Sequence, residues 1–315
     1  FAPYTKLNDS TATGQGVNDM KGGNVVMIGA LKALGALELL KNTHIIAYFT
    51  GDEESSGFPH QVARQDFIDR AKTTDIALGF EGAAGLNTVA VARRGIGGWK
   101  LNVEANTGHS AGVFSEAAGF GAIYEAARVI NEFRTQLANE KYLTFNAGLM
   151  SGGSEIKVDP SAARVEAIGK TNIISPAAYV AGDLRFISEV QRDQAREKMR
   201  TIVSQSLNGT KSSISFTDGL PAMEPTEGNY RLVNFLDGVT KDMGIGTTKA
   251  GDPGSRGAGD ISDIAKYVDS LDGMGASGGG AHKPGETINL KEFPYLIQRA
   301  AIMIYRLTRE NAVVK

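Results

Sequence analysis

The sequence predicts an α/β fold: a main domain with a mainly parallel central sheet, interrupted by a smaller α+β insert of ferredoxin-like order. Three observations carry this. Two short apolar runs, residues 45–49 and 76–80, each end in acids, Asp52-Glu53-Glu54 after the first and Glu81 after the second. Such runs read as strands buried on both faces of a sheet. Stretches with helical spacing lie between and around them, the alternation of a parallel α/β arrangement. From Gly95 the pattern changes to strand-helix-strand-strand-helix-strand, the order of a ferredoxin-like sandwich, and α/β character returns after Gly219. The expected boundaries are 1-94 and 218-315 for a discontinuous main domain and 95-217 for the insert.

In chain order, residues 1–13 are polar and turn-rich. A helix is expected over about 20–41, with Val25, Ile28, Leu31, Leu34 and Leu37 at helical spacing and Asp19 at its N-terminus, where Asp is a good cap. Gly22 and Gly23 so early in a helix cost roughly 1 kcal/mol each relative to Ala, which calls for close packing of that turn. After the acidic triplet a helix is expected over about 61–72, and His60 before it reads as a surface polar residue. In the insert, strand 96–105 alternates with Trp99, Leu101 and Val103 on one face; Thr107-Gly108-His109-Ser110 turns; a helix covers about 116–137. Strands near 142–150, 164–168 and 177–186, a helix over 189–207 and a strand over 212–216 follow. The main domain resumes with a helix over about 230–243, a glycine-rich stretch 251–259 with Asp260 placed to cap the next helix, the small-residue loop Ser277-Gly278-Gly279-Gly280-Ala281-His282, and an amphipathic helix over about 290–309.

The 315 residues suffice for a large core without staples, and the hydrophobic and charged fractions are those of a globular protein. A net charge of −2 with no basic run argues against a nucleic-acid partner, and no apolar run is long enough to cross a bilayer. There is no cysteine, so disulfides and thiolate ligands are excluded. Localisation stays open, with a periplasmic or secreted setting slightly favoured over the cytoplasm. Phe1-Ala2-Pro3-Tyr4 opens without Met in loop-like sequence, and a missing leader segment is expected.

In open α/β sheets, ligands bind in the crevice at the carboxyl ends of the strands. Three consecutive acids placed there repel one another, and a metal ion is the simplest offset. A solvated acidic loop is the competing reading. Glu81, delivered by a second strand to what should be the same edge, favours the metal.

Gly14-Gln15-Gly16-Val17-Asn18-Asp19-Met20-Lys21-Gly22-Gly23, then Asp52-Glu53-Glu54, then Phe80-Glu81, then Gly280-Ala281-His282, in this order, resembles the zinc metallopeptidase family M20, which includes glutamate carboxypeptidase, aminoacylase and succinyl-diaminopimelate desuccinylase. The resemblance covers essentially the whole chain, with the insert as a lid and dimerisation domain. It implies that Asp19 bridges two zinc ions and is followed by a cis bond to Met20, that Glu54 and His282 complete one metal's protein ligands, that Glu81 binds the other, and that Glu53 is the general base. Other divalent metals would fit the same oxygen and imidazole ligands. It further implies that His109 reaches an active site and helps hold the oxyanion, and that Asn172 and Arg185 bind the substrate's free carboxylate. A surface turn is the alternative for His109, and a pair with Asp183 for Arg185. Gly257 and Gly259 are expected to offer backbone contacts to substrate. One departure stands: the family's upstream His-x-Asp motif is absent, the only histidines being His44, His60, His109 and His282. As written, the second zinc site is one ligand short, through truncation or through real loss.

The expected function is hydrolysis of an amide or peptide bond next to a free carboxylate, as in a glutamate carboxypeptidase-like exopeptidase. An N-acyl amino acid deacylase and an inactive binding homologue are the alternatives. Expected partners are a small peptide or N-acyl amino acid and a second copy of the chain, with no nucleic acid and no membrane.

Overall fold

Two short strands, β1 (Thr5–Lys6) and β2 (Thr11–Thr13), lead into a tight turn at Val17–Lys21 and then into helix α1 (Gly22–Ala36). The computed structural model describes residues 2–57, 59–159 and 164–309. α1 buries Gly22, Gly23, Val26, Ala30 and Leu34, while Val25, Ile28 and Leu37 are exposed. This corrects the expected inward face. The buried row runs at intervals of four through small residues, which lets neighbours come close, whereas the bulky row does not. A Cβ on Gly23 would lie 1.8 Å from the carbonyl oxygen of Phe80, and one on Gly22 2.4 Å from Ile288 Cδ1. Close approach is therefore what the two glycines supply, and it presses the turn bearing Asp19 against the segment bearing Glu81.

The stretch 44–50 corrects a second expectation. It forms no strand, and Phe49 is exposed. No sheet partner for it exists among the described residues, so its apolar side chains have no ladder to join. They line a cavity of about 480 Å³ instead, together with Met27 and Leu31 of α1, Ile76, Leu78 and Ile261. The helix expected over 61–72 is split into α2 (His60–Ala63) and α3 (Gln65–Ala71) at Arg64, whose backbone leaves helical geometry (φ −98°, ψ 2°). Strands β3 (Ile76–Leu78) and β4 (Thr88–Val89) follow.

The chain divides into two compact units, Arg94–Pro221 as one and Phe1–Arg93 with Ala222–Lys315 as the other. The inner unit holds β5 (Gly95–Ala105), α4 (Ala122–Leu137), β6 (Thr144–Gly153), β7 (Glu155–Val158), β8 (Val165–Ile168), β9 (Ala177–Phe186), α5 (Glu189–Ser204) and β10 (Thr210–Asp218). Its sheet has the order β10-β5-β9-β6, antiparallel throughout, and β7–β8 form a separate two-stranded ribbon. Trp99, Leu101 and Val103 alternate onto the buried face, where the Trp99 ring meets Phe133 of α4 edge-on at 5.6 Å. α4 starts at Ala122 rather than near 116, because Gly119 (φ 75°) and Gly121 (φ 80°) hold left-handed backbone ahead of it.

The outer unit resumes with α6 (Glu227–Asp242), β11 (Lys249–Ala250), β12 (Asp269–Leu271), β13 (Gly278–Gly279), β14 (Thr287–Asn289) and α7 (Phe293–Leu307). β12 pairs with β3 and β11 with β4, both parallel; β1-β2-β14-β13 form an antiparallel sheet. The parallel character is real but confined to short pairs. Asn229, buried on α6, stitches this unit: its Nδ2 donates to the carbonyls of Val91 and Glu224, both at 2.9 Å, and its Oδ1 accepts from Ser270 N at 2.8 Å. Among the described residues no helix is long and apolar enough to cross a membrane.

Gly23→Ala is expected to destabilise the protein by roughly 1–3 kcal/mol through overpacking against Phe80. Gly35→Ala, where a Cβ meets nothing nearer than 3.7 Å, should be neutral or stabilising. Denaturant melts of the two variants check the contrast.

Candidate metal centre

The turn before α1 owes its shape to one carboxylate. Glu286, 6% exposed, accepts from Gly16 N (2.6 Å), Asn18 N (2.9 Å) and Asp19 N (2.8 Å). Its own carbonyl accepts from Thr13 Oγ1 at 2.6 Å and Gly14 N at 3.2 Å. Three backbone donors on one carboxylate fix the direction in which Asp19 leaves the chain. The Asp19–Met20 peptide is cis.

Asp19 meets two residues from other parts of the chain. His282 Nε2 lies 2.8 Å from Asp19 Oδ2 and 3.3 Å from Glu54 Oε1. Each of the three side chains offers one ligand atom, and these atoms lie within 4.8 Å of one another. The two carboxylates, Glu54 first, raise the pKa of the His282 imidazole. Two oxygen donors and an imidazole nitrogen at this spacing fit a divalent cation such as zinc. Asp19 is partly buried and the other two are open, which leaves room for further ligands.

Arg64 holds the acidic turn in place. Its side chain is 3% exposed, and its guanidinium reaches Asp52 Oδ1 at 2.6 Å, Asp260 Oδ1 at 3.0 Å and Asp263 Oδ2 at 3.5 Å. It also donates to Ser56 Oγ at 3.1 Å. Asp52 accepts from Gly57 N at 3.0 Å as well, and these bonds hold its pKa below the usual value. The first acid of the triplet is thus a tether, and the second and third project from a fixed turn. The same network corrects two expectations. Asp260 caps no helix; it accepts from Thr50 and pairs with Arg64, and Gly259 stands at the N-cap of the short 260–263 turn instead. His60 is no free surface residue, since its Nε2 lies 2.7 Å from Asp263 Oδ1.

Glu53 is half-buried. Burial, then Asp260, Glu54 and Asp19, raise its pKa. Glu81 lines the same cavity as Asp19, Glu53 and Glu54 but stands outside the close triad. Burial, then Asp272, push its pKa up to about 7, against the pull of Arg93, whose Nη2 is 3.9 Å away. Arg93 is itself buried. Its Nε donates to Asp272 Oδ2 at 2.5 Å and its Nη1 to the carbonyl of Gly257 at 3.3 Å. The Gly257 carbonyl is therefore turned to Arg93, and Gly259 is buried with its α-carbon facing the same guanidinium.

The three remaining expected residues belong to the inner unit. His109 Nδ1 accepts from Ala111 N at 3.2 Å, and the Asn172 carbonyl accepts from Ser110 N at 2.9 Å, so these two stretches lie side by side. Arg185 Nε donates to Asp183 Oδ2 at 3.0 Å, two residues earlier on the same face of β9. Sequence reasoning missed Arg64, Arg93, Glu286 and Asp272. Only Asp272 carried a signal of the kind used for Glu81, a carboxylate directly after a buried strand end at Leu271.

Residues 91–211 match the family model described as peptidase dimerisation domain, M20_dimer. Carboxypeptidase G2 of Pseudomonas sp. (strain RS-16) is 26% identical over 312 residues, 97% of this chain and 69% of that protein. In fold, the chain is similar to aminopeptidase PepT of Bacillus cereus, with a TM-score of 0.71 and 16% identity over 98% of this chain and 77% of that one. An M20 family metallo-carboxypeptidase of Sulfolobus solfataricus gives 0.62 at 16% identity, over 96% and 78%. A dinuclear metal binding peptidase of the M20 family from Bacillus subtilis gives 0.60 at 12%, over 91% and 71%.

Glu53, Glu81 and His282 all hold their protons to higher pH in the folded chain than in the unfolded one. Each therefore favours folding at low pH, and that contribution is lost as pH rises through the folded value. Without metal, stability is expected to fall from about pH 5 to pH 8, with Glu81 contributing on the order of 3 kcal/mol of the drop. Glu81→Gln should flatten the profile, as should a saturating divalent cation. Melts across pH with a chelator, then with zinc, check this.

Proposed function

Proceeding from a chain that carries an M20 peptidase dimerisation domain and is homologous to carboxypeptidase G2, we propose that it is a metal-dependent hydrolase cleaving an amide bond next to a free carboxylate, a glutamate carboxypeptidase-like exopeptidase. The observation that supports this best is the meeting of Asp19, Glu54 and His282, separated by up to most of the chain, at ligand spacing. Those three would hold one divalent cation, zinc by preference, and Glu81 with Asp19 a second. Bound there, the metal supplies a Lewis acid that polarises the scissile carbonyl and lowers the pKa of water.

The chain's own groups do the rest. Glu53 takes the proton of the attacking water on its carboxylate and returns it to the departing amine. Its half-buried setting among Asp260, Glu54 and Asp19 raises its proton affinity, the direction a general base at neutral pH requires. Arg64 keeps the Glu53–Glu54 turn from relaxing when the acids repel one another. Glu286 does the same for the turn of Asp19.

A homodimer through the inner unit accompanies this reading. β6 is an edge strand of its sheet, and Ile123, Tyr124 and Met150 are exposed on the same unit. An uncovered edge with apolar neighbours is a surface that a second copy can extend.

Glu53→Gln is expected to keep its divalent metal, measured by elemental analysis after gel filtration, and to lose about 10²–10⁴-fold in kcat on acyl amino acids. Turnover at the wild-type rate would exclude Glu53 as the base. Light scattering is expected to give twice the chain mass; a monomer would remove the dimer.

A further inference from the structure

We infer that His60 is a positioning residue for the general base: it occupies Asp263 and so leaves the Arg64 guanidinium to the turn that carries Glu53. This rests on the hydrolase reading above and adds to it a residue that acts through others. His60 opens α2 and Arg64 ends it one helical turn later, with Arg64 N donating to the His60 carbonyl at 3.0 Å. At that spacing the two side chains project to the same side. Both meet Asp263, whose side chain is 4% exposed.

Arg64 carries one positive charge and faces three carboxylates. Asp52 is nearest, Asp260 next and Asp263 farthest, its Oδ2 lying 3.5 Å from Arg64 Nε. Across that last gap neither atom makes a hydrogen bond, although both are buried. The cause lies on the other side of the carboxylate. His60 Nε2 donates to Asp263 Oδ1 at 2.7 Å, and this bond turns Asp263 away from Arg64. Burial raises the pKa of Asp263, and the His60 hydrogen bond is the first of the interactions that oppose it, ahead of Arg64. A buried carboxylate deprived of its partner costs free energy until it finds another cation. For Asp263 without His60, that cation is Arg64. The guanidinium would then move off Asp52 and Ser56, which it holds together with the Gly57 N–H bond to Asp52. Glu53 lies inside that turn, and a displacement of about 1 Å is enough to spoil an aligned proton transfer.

The test is a double-substitution cycle, with an N-acyl amino acid as substrate and kinetics read at saturating zinc. His60→Ala is expected to lower kcat about 10–100-fold and to leave KM unchanged. His60→Gln, which keeps an N–H for Asp263, should recover most of the loss. In an Asp263→Asn background the charge that draws Arg64 away is gone, and His60→Ala should then cost less than about twofold. His60→Asn, too short to reach Asp263, takes the place of His60→Ala if that variant does not fold. Hydrogen exchange of a peptide spanning residues 52–57 needs no turnover: His60→Ala is expected to speed it about tenfold, and adding Asp263→Asn to slow it again. Losses that multiply in the double variant, a raised KM with kcat kept, a loss that vanishes as zinc is raised further, or unchanged exchange at 52–57 would each overturn the inference. A protein that hydrolyses no acyl amino acid but shows the exchange pattern would keep His60 as the support of this turn and remove the hydrolase reading.

Discussion

Mutual repulsion among carboxylates is the constraint that the outer unit is built to withstand. Asp19, Asp52, Glu53, Glu54, Glu81, Asp260, Asp263 and Asp272 gather around one region, and two buried arginines keep them there. Each guanidinium joins acids far apart in sequence: Arg64 ties residue 52 to residues 260 and 263, and Arg93 ties 81 to 272. Ion pairs removed from water repay their desolvation only when the geometry is good. What they supply here is position more than stability. The acids that the arginines tether (Asp52, Asp260, Asp263, Asp272) frame Asp19, Glu53 and Glu54.

The second support is the turn before α1. β2 pairs with β14 in a register that sets Thr13 against Thr287, and this brings Glu286 opposite the backbone of residues 14–19. The close contact of Gly23 with Phe80 then brings the same turn to the segment of Glu81. Local sequence, sheet register and side-chain chemistry thus act on one short stretch from three directions.

Legibility followed the range of the interactions. The strand-helix order of the inner unit could be read because its strands alternate on a face that their own neighbours bury, as Trp99, Leu101 and Val103 show. Residues 45–49 misled because an apolar run states only that a stretch would suit a sheet interior; whether strands flank it is decided elsewhere. α1 misled because it is apolar on several sides, so spacing alone could not tell the Val26–Ala30–Leu34 row from the Val25–Ile28 row. The candidate ligands stood out through the order of their motifs. Their supports did not, since Arg64, Arg93 and Glu286 act on partners 8 to 270 residues away and resemble ordinary surface charges in the sequence.

The division of the outer unit has a consequence for how the chain is made. Its two parts, Phe1–Arg93 and Ala222–Lys315, are separated by the whole inner unit, and β3 and β4 find their parallel partners only in the later part. During synthesis the inner unit can close on itself as soon as it leaves the ribosome. The earlier part must wait in an open state, without the partners that Asp260, Asp263, Asp272, His282 and Glu286 supply, until residues 260–286 emerge. Nascent chains would thus pass through a long interval in which translation speed and chaperone cover, rather than the final contacts, govern how many reach the native state.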